Sequence, residues 1–403
     1  MLKKIIGSLL RCSLVLVVRI LRLMHGRRLK EVLMTAPASA GSFGDEAIFQ
    51  GIESAYLRPN QLMPRQILLK GFSPIAMRIE QLAPLTVFDE SIGSDLSFIW
   101  SLRKARSFIV PGADVIDGVY SAQQARSYLY LLNLANQAGV PSRVLGFSFS
   151  TSPAPDVVSD FKKLSRQILC CVRDADSKKR FDQACGAASI QVADCGFLME
   201  PAIDSMEGRE IGAWIDSAKA GGNLILALNA NAQTAVGQSK QICAAYAALI
   251  QDISVKGKIR VLLLPHDNRG EHSDYRMNDA IFKLLPENLK EQVKVVEHPI
   301  FGWEARALVS KCDLLVSGRM HLIVAALGER VPCIGIDYNA KFSGLMSFFD
   351  LADRVVDARE AYADGVLSRE VTRVLSELDV MAERINQHHT AVMSLARRNF
   401  DHL

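Results

Sequence analysis

From residue 31 onward the chain alternates short apolar runs with stretches of helical spacing. The apolar runs of strand type are Glu31 to Ala36, Leu85 to Asp89, Ser107 to Pro111, Ser142 to Phe147, Ile168 to Val172 and Ile190 to Ala193, and a long helix is predicted over Ser121 to Ala138. Pro201 to Gly208 reads as a linker. A second series follows it: Asn223 to Asn229, Ile259 to Pro265, Val293 to Glu297, Asp313 to Ser317 and Cys333 to Ile336, closed by a helical stretch from about Ser368 to Arg398. Strands alternating with helices predict parallel, doubly wound sheets.

Two such series in one chain predict an α/β protein of two facing Rossmann-like domains, a GT-B-like pair with substrates in the cleft between them. The expected division is 1–30 as a separate helix, 31–205 as the first domain, 206–365 as the second, which would hold the donor site, and 366–403 as a C-terminal helical segment. At 403 residues, the chain is long enough for two cores.

The first thirty or so residues follow another pattern. Plotted at about 100° per residue, Lys4, Ser8, Arg11, Arg19 and Arg22 fall on one side of a helix. Leu2, Ile5, Ile6, Leu9, Leu16, Ile20 and Leu23 fall on the other. The uncharged runs are too short for a bilayer core, which needs about 20 apolar residues. A basic amphipathic helix of this kind lies in an anionic membrane surface, which predicts a cytoplasmic protein peripheral at the inner face of the membrane. Two other readings stand beside it: the apolar face packs on the protein's own body, or the segment is an uncleaved signal-like stretch without an A-x-A site.

Composition narrows the partners. The net charge is +4, with 49% hydrophobic and 22% charged residues, and the cations form no stripe interleaved with aromatics, so nucleic acid is not expected. The eight cysteines contain no CxxC pair and mostly lie in apolar runs. They read as reduced thiols, with neither disulfides nor a metal site expected.

Candidate chemistry lies where strands end. Ser317 and Gly318 turn the chain from a strand into a helix, so Arg319 and His321 come at the carboxyl end of a strand, where parallel sheets open their ligand crevice and a helix N-terminus favours anions. His266-Asp267 follows another strand, and Arg173-Asp174 ends a third. After the first strand come Ala38, Ser39, Ala40, Gly41 and Ser42, small enough for the backbone to approach a ligand, and then Gly44-Asp45-Glu46, with acids in a helix's first turn. As a dinucleotide fingerprint this segment fails, because the third glycine is missing and the acids would repel a pyrophosphate. For each candidate a plain structural role competes: helix capping for Asp45 and Glu46, an ion pair for Arg173 with Asp174, a turn histidine held by its own aspartate for His266, and a solvated helix-face lysine for Lys341.

GSFGDEAI, VRDADSKKRF with VADCGFLMEP, and CDLLVSGRMHLIVAALGERVPCIGIDYNAKFSGLM resemble, in order and spacing, three blocks of the polysaccharide pyruvyl transferase family. The resemblance covers roughly residues 32 to 350, and its specific part is the S-x-R-x-H core followed by Tyr338 and Lys341. Two places depart from the family: Ser42 stands where asparagine is common, and PGADVIDG from Pro111 is less glycine-rich. The resemblance implies transfer of a pyruvyl group from phosphoenolpyruvate to two hydroxyls of a sugar, with no cofactor; the acceptor stays open among a free, a nucleotide-bound and a lipid-linked sugar.

Such a donor carries a phosphate and a carboxylate, which the forked donors of arginine suit. Arg319 is the first candidate and Arg173 the second, with Gly41, Gly44, Ser317, His266 and Lys341 as further binding residues. His321 is the candidate proton donor to the methylene carbon, and Asp45 and Glu46 are candidates for acting on the acceptor hydroxyls. Two other classes stay open. One is a GT-B glycosyltransferase using a nucleotide sugar, against which counts the lack of any acid between His321 and Glu329. The other is a non-catalytic scaffold in polysaccharide assembly.

Overall fold

The computed structural model describes residues 2–25, 29–36, 41–72, 75, 86–231, 238–255, 257–270, 273–338 and 341–403. Ala38, Ser39, Ala40 and Leu85, singled out above, lie outside them. The chain forms two compact units. The first comprises Met1–Ala40, Ile48–Leu198 and Ser394–Leu403, and the second Gly41–Ala47 and Met199–Met393.

The first unit contains a seven-stranded sheet in the order β3-β2-β1-β4-β5-β6-β7. Its strands are β1 (Glu31–Thr35), β2 (Met63–Leu69), β3 (Thr86–Phe88), β4 (Ala105–Pro111), β5 (Ser142–Phe147), β6 (Leu169–Val172) and β7 (Ser189–Gln191). All pairs are parallel. The alternation of a strand sends Val32 and Met34 into the core on one face, with Phe49 and Tyr56, and Leu33 into the core on the other, with Phe108, Phe147 and Phe181. Helices run between the strands; Ala122–Gln137, for example, starts at Ser121, whose side chain accepts from the Gln124 amide.

The second unit repeats the plan with six strands in the order β10-β9-β8-β11-β12-β13, again all parallel. These are β8 (Leu224–Asn229), β9 (Ile259–Leu263), β10 (Val293–Val295), β11 (Leu314–Ser317), β12 (Cys333–Asp337) and β13 (Val355–Asp357). Strand order reverses between β8 and β11, and between β1 and β4 in the first sheet. That reversal is where doubly wound sheets open a ligand crevice.

Several segments differ from their sequence reading. Met63–Leu69 is a strand although Pro64 and Arg65 interrupt its apolar run, because Met63 to Ile67 pair in unbroken register with β1. The C-terminal helical stretch consists of two helices, Val366–Leu375 and Leu378–Arg397. Met206, placed in the linker, starts the helix Met206–Ala220 behind the cap of Ser205.

The N-terminal helix, Leu2–His25, packs on the helix Ile92–Ser101 and the turn Leu102–Lys104. It packs through the side that carries Arg11 and Arg22 rather than through its leucine-rich face. Arg11 pairs with Asp95 at 2.7 Å, and Arg22 donates to the carbonyls of Leu102 (3.0 Å), Ala105 and Gly139 (3.2 Å). Val18 is wholly buried between them, with Leu14 and Val15 alongside. Among the described residues no helix is long and apolar enough to cross a membrane.

Candidate active site

In the second unit, the carboxyl ends of β8, β9 and β11 bring Asn229, His266, Ser317 and Arg319 together. All four are buried. The turn after β11 is held internally: the Ser317 hydroxyl accepts from the Arg319 amide at 2.9 Å and donates to Asn229 Oδ1 at 3.1 Å, while Asn231 Nδ2 donates to the Gly318 carbonyl at 2.8 Å. A small hydroxyl residue is required here, since it must serve the backbone of its own turn and the neighbouring strand at once.

Arg319 directs its fork at Asp274. Nε and Nη2 donate to the two carboxylate oxygens at 3.1 and 2.7 Å, and Nη1 lies 3.7 Å from Asp267. Asp274 also accepts from Asn229 Nδ2 (3.1 Å) and from the His266 amide (3.1 Å), and it is completely buried. Burial works against the guanidinium's charge, but the Asp274 carboxylate outweighs it and holds the Arg319 pKa above its ordinary value. The arginine expected to grip an anion by its fork therefore meets a carboxylate of its own chain there.

His266 is the exception in this network. Its ring is buried, and neither nitrogen has a hydrogen-bond partner among the described residues. The competing reading, a turn histidine held by Asp267, does not hold: Asp267 takes the guanidinium of Arg269, at 2.6 Å, and the Arg269 amide. Burial pushes the His266 pKa well down, reinforced by its neighbours Arg319, His321 and Arg269, so the ring is neutral. A neutral imidazole has one N–H and one lone pair, and leaving both unmet in the interior costs about 1–3 kcal/mol. The His321 ring lies nearly parallel to it, with centroids 6.3 Å apart, and the Phe43 ring is 5.6 Å away.

The GSFGDE segment belongs to this same unit and packs against the same loop. The Phe43 amide donates to the His266 carbonyl (3.2 Å), the Asn268 amide to the Gly41 carbonyl (3.1 Å), and Ser42 forms a bridge with Asp267. Gly41 has φ +98°, and a Cβ there would meet Asn268 Oδ1 at 2.0 Å, so only glycine fits. At Gly44 a Cβ would lie 2.4 Å from His321 Nδ1. Both glycines, expected to admit a substrate, here admit side chains of the protein, and Gly44 sets where the His321 ring can sit.

Glu46 is buried two residues on, with Oε2 accepting from the Gly302 amide at 2.8 Å. Burial, opposed by that hydrogen bond and reinforced by Asp45 and Glu304, raises its pKa to about 7. A buried carboxyl that titrates near neutrality can both take up and release a proton. Asp45, also buried, has its amide 3.4 Å from the Ser42 hydroxyl. Lys341 stands at the start of the helix Phe342–Met346, its amide donating to Asp337 at 3.3 Å.

Arg173 lies in the first unit. It pairs not with Asp174 but with Asp194 at 3.0 Å, and it donates to the Ser148 hydroxyl at 2.9 Å. Asp174 caps the next helix through the Ser177 amide and hydroxyl, both at 2.7 Å. Sequence reasoning missed Asp274 and Asn229. For Asn229 a signal existed, a lone amide closing the apolar run LILALN; for Asp274, an acid at a helix start, the sequence offers nothing beyond ordinary capping.

Two doubly wound parallel sheets in one chain, with a polar cluster at the strand reversal of the second, define a GT-B-like fold, and solved structures share it. A putative UDP-N-acetylglucosamine 2-epimerase from Listeria monocytogenes superposes with a TM-score of 0.59 at 12% identity, over 92% of this chain and 94% of its own. HepE from Anabaena, solved with UDP and glucose, gives 0.54 at 14% identity over 92% and 98%, and a UDP-forming α,α-trehalose-phosphate synthase from Burkholderia vietnamiensis gives 0.53 at 10% over 92% and 98%. At these identities the likeness is one of fold. The profile of the polysaccharide pyruvyl transferase family matches residues 82–340, and the chain belongs to that family.

Proposed function

We propose that the chain transfers the pyruvyl group of phosphoenolpyruvate to two hydroxyls of a sugar in a polysaccharide or its precursor, leaving a cyclic ketal with a free carboxylate. The observation that carries this reading is the buried, neutral His266 beside His321 and Arg319, which family membership turns from an unexplained cost into a place for a ligand.

In the reaction a proton adds to the methylene carbon while a hydroxyl oxygen bonds to the neighbouring carbon. The carbon–oxygen bond to phosphate breaks with its electron pair on oxygen, and the second hydroxyl closes the ketal. Of the two hydroxyl protons, one replaces the proton given to carbon and the other leaves with the phosphate. His321 is the acid in this scheme, and Glu46, titrating at about 7, receives a hydroxyl proton. His266 offers its N–H and lone pair to the bound substrate. Arg319, with its fork on Asp274, contributes a fixed positive charge and positions the turn, and Arg173, committed to Asp194 and Ser148, takes no part.

A nucleotide-sugar transferase would need an acid beside the donor on the helix Met320–Gly328, yet Glu329 at its end is bound to Arg306 at 2.7 Å. The test is to incubate the purified chain with phosphoenolpyruvate, and separately with nucleotide sugars, over a panel of sugar acceptors. Acceptor-dependent phosphate release with a pyruvate ketal in the product supports the proposal. Nucleotide release would replace it with glycosyl transfer, and release of neither would leave a scaffold.

A further inference from the structure

The side of the N-terminal helix that does not pack on the first unit is apolar. At about 100° per residue, Leu23, Leu16, Leu9 and Ile20 lie opposite Val18, and the arc extends on one side, past Ser13, through Ile6, Met24, Val17 and Leu10; these eight apolar residues are all exposed. Leu16 is 60% exposed and Leu23 80%, whereas Val18 is 0% exposed. A leucine stripe facing water along a two-dozen-residue helix is not a stable end state for a folded chain, because contiguous apolar patches mark contact surfaces. The helix is also firmly mounted. Gly7 lets it approach Ile92 so closely that a Cβ would lie 2.7 Å from the Ile92 Cδ1, and Arg11 and Arg22 are tied to Asp95 and to backbone carbonyls.

We propose that this arc seats in the boundary between the headgroups and acyl chains of an anionic bilayer, with the helix lying in the membrane plane and carrying the first unit on its other side. Charge selects this occupant over a second copy of the chain. Residues 1–30 contain Lys3, Lys4, Arg11, Arg19, Arg22, Arg27, Arg28 and Lys30 and not one acid, so two such segments face to face repel, whereas anionic lipid complements them. The mounting also decides the character of the binding. Arg11 is neutralised by Asp95, and Arg22 is turned inward, so two of the cations that would have given a salt-sensitive attachment serve the fold instead. Attachment rests on the apolar arc together with the six remaining cations, so salt weakens it without abolishing it.

The test uses the full chain in flotation with phosphatidylcholine vesicles, with and without phosphatidylglycerol, at roughly 0.1 and 1 M salt, where exposed charges are screened beyond about 10 and 3 Å. The wild type is expected to float with the anionic vesicles at both salt concentrations, losing less than about tenfold in partitioning at the higher one. The double variant Leu16→Glu, Ile20→Glu changes only exposed positions, so thermal unfolding should match the wild type while partitioning falls by about tenfold or more. Equal flotation of the two would overturn the proposal. So would a wild type that stays off every vesicle and sediments as a dimer that the double variant dissolves, which would make a second copy the occupant. Attachment abolished at 1 M salt would overturn the apolar basis of binding.

Discussion

Replacing Glu46 by Gln tests whether a buried carboxyl near the GSFGDE turn works at neutral pH. The side chain is buried against the Gly302 amide, 2.8 Å away, and burial carries its pKa from the ordinary 4.5 up to about 7. An acid whose pKa is higher in the fold than in the unfolded chain favours the folded state most when both are protonated, below about pH 4.5. That contribution drains away as pH rises and is gone above about pH 7. At roughly 1.4 kcal/mol per pH unit, the window from 4.5 to 7 is worth about 3 kcal/mol. Gln keeps an acceptor for the Gly302 amide and cannot ionise, so Glu46→Gln should match the wild type near pH 4.5 and exceed it by up to about 3 kcal/mol at pH 8. If Glu46 also receives the hydroxyl proton, the more stable variant is the slower one, with phosphate release reduced by about 10² or more. Urea unfolding of both proteins across pH 4.5 to 8, beside turnover, is the assay. Parallel stability curves would refute the burial argument, and undiminished turnover would remove Glu46 from the chemistry.

Gly44→Ala puts a methyl 2.4 Å from His321 Nδ1 and so displaces the ring; activity should fall by about tenfold or more with circular dichroism unchanged, and full activity would mean the ring's position is immaterial. Arg319→Ala leaves the wholly buried Asp274 carboxylate without its fork, a loss expected to cost about 3–5 kcal/mol of stability in urea unfolding. Arg319→Lys should recover part of that, and a variant as stable as the wild type would show the pair to be dispensable. His266→Phe removes two unmet ring nitrogens, so stability should hold or rise by about 1 kcal/mol while phosphate release drops; unchanged release would make the orphan imidazole a packing residue.

The sheets were legible because parallel strands buried on both faces are written as apolar runs, and most of those runs are strands. The run Ser142 to Phe147 is one to the residue. Met63–Leu69 was not legible: its pairing to β1 overrides a proline and an arginine that read as loop. In the site, position along the chain was readable and partnership was not. His266, Ser317 and Arg319 could be placed at strand ends from the pattern alone, but Asp274, which occupies the fork of Arg319, is 45 residues upstream. The N-terminal helix shows the same gap. Its two faces were plain, yet which of them meets the protein depends on Asp95 and on the carbonyls of residues 102, 105 and 139, which no periodicity reveals.

The units are not consecutive in the chain. Residues 41–47 belong to the second unit although they come between β1 and β2, and residues 394–403 belong to the first. Arg143, buried in β5, donates to the carbonyls of Asn399 and Asp401 at 2.7 and 2.6 Å, and the Gly146 amide donates to Asn399 Oδ1 at 2.9 Å. On the ribosome, Arg143 is therefore made 256 residues ahead of the Asn399 carbonyl that satisfies it. Domains usually fold in the order of synthesis; here the first unit stays unclosed, the Arg143 guanidinium unmet, while the strands of the second unit are translated. For the same reason no single cut yields two self-sufficient halves: a break near residue 199 strips the second unit of the segment that touches His266 and His321, and the first of its closing tail.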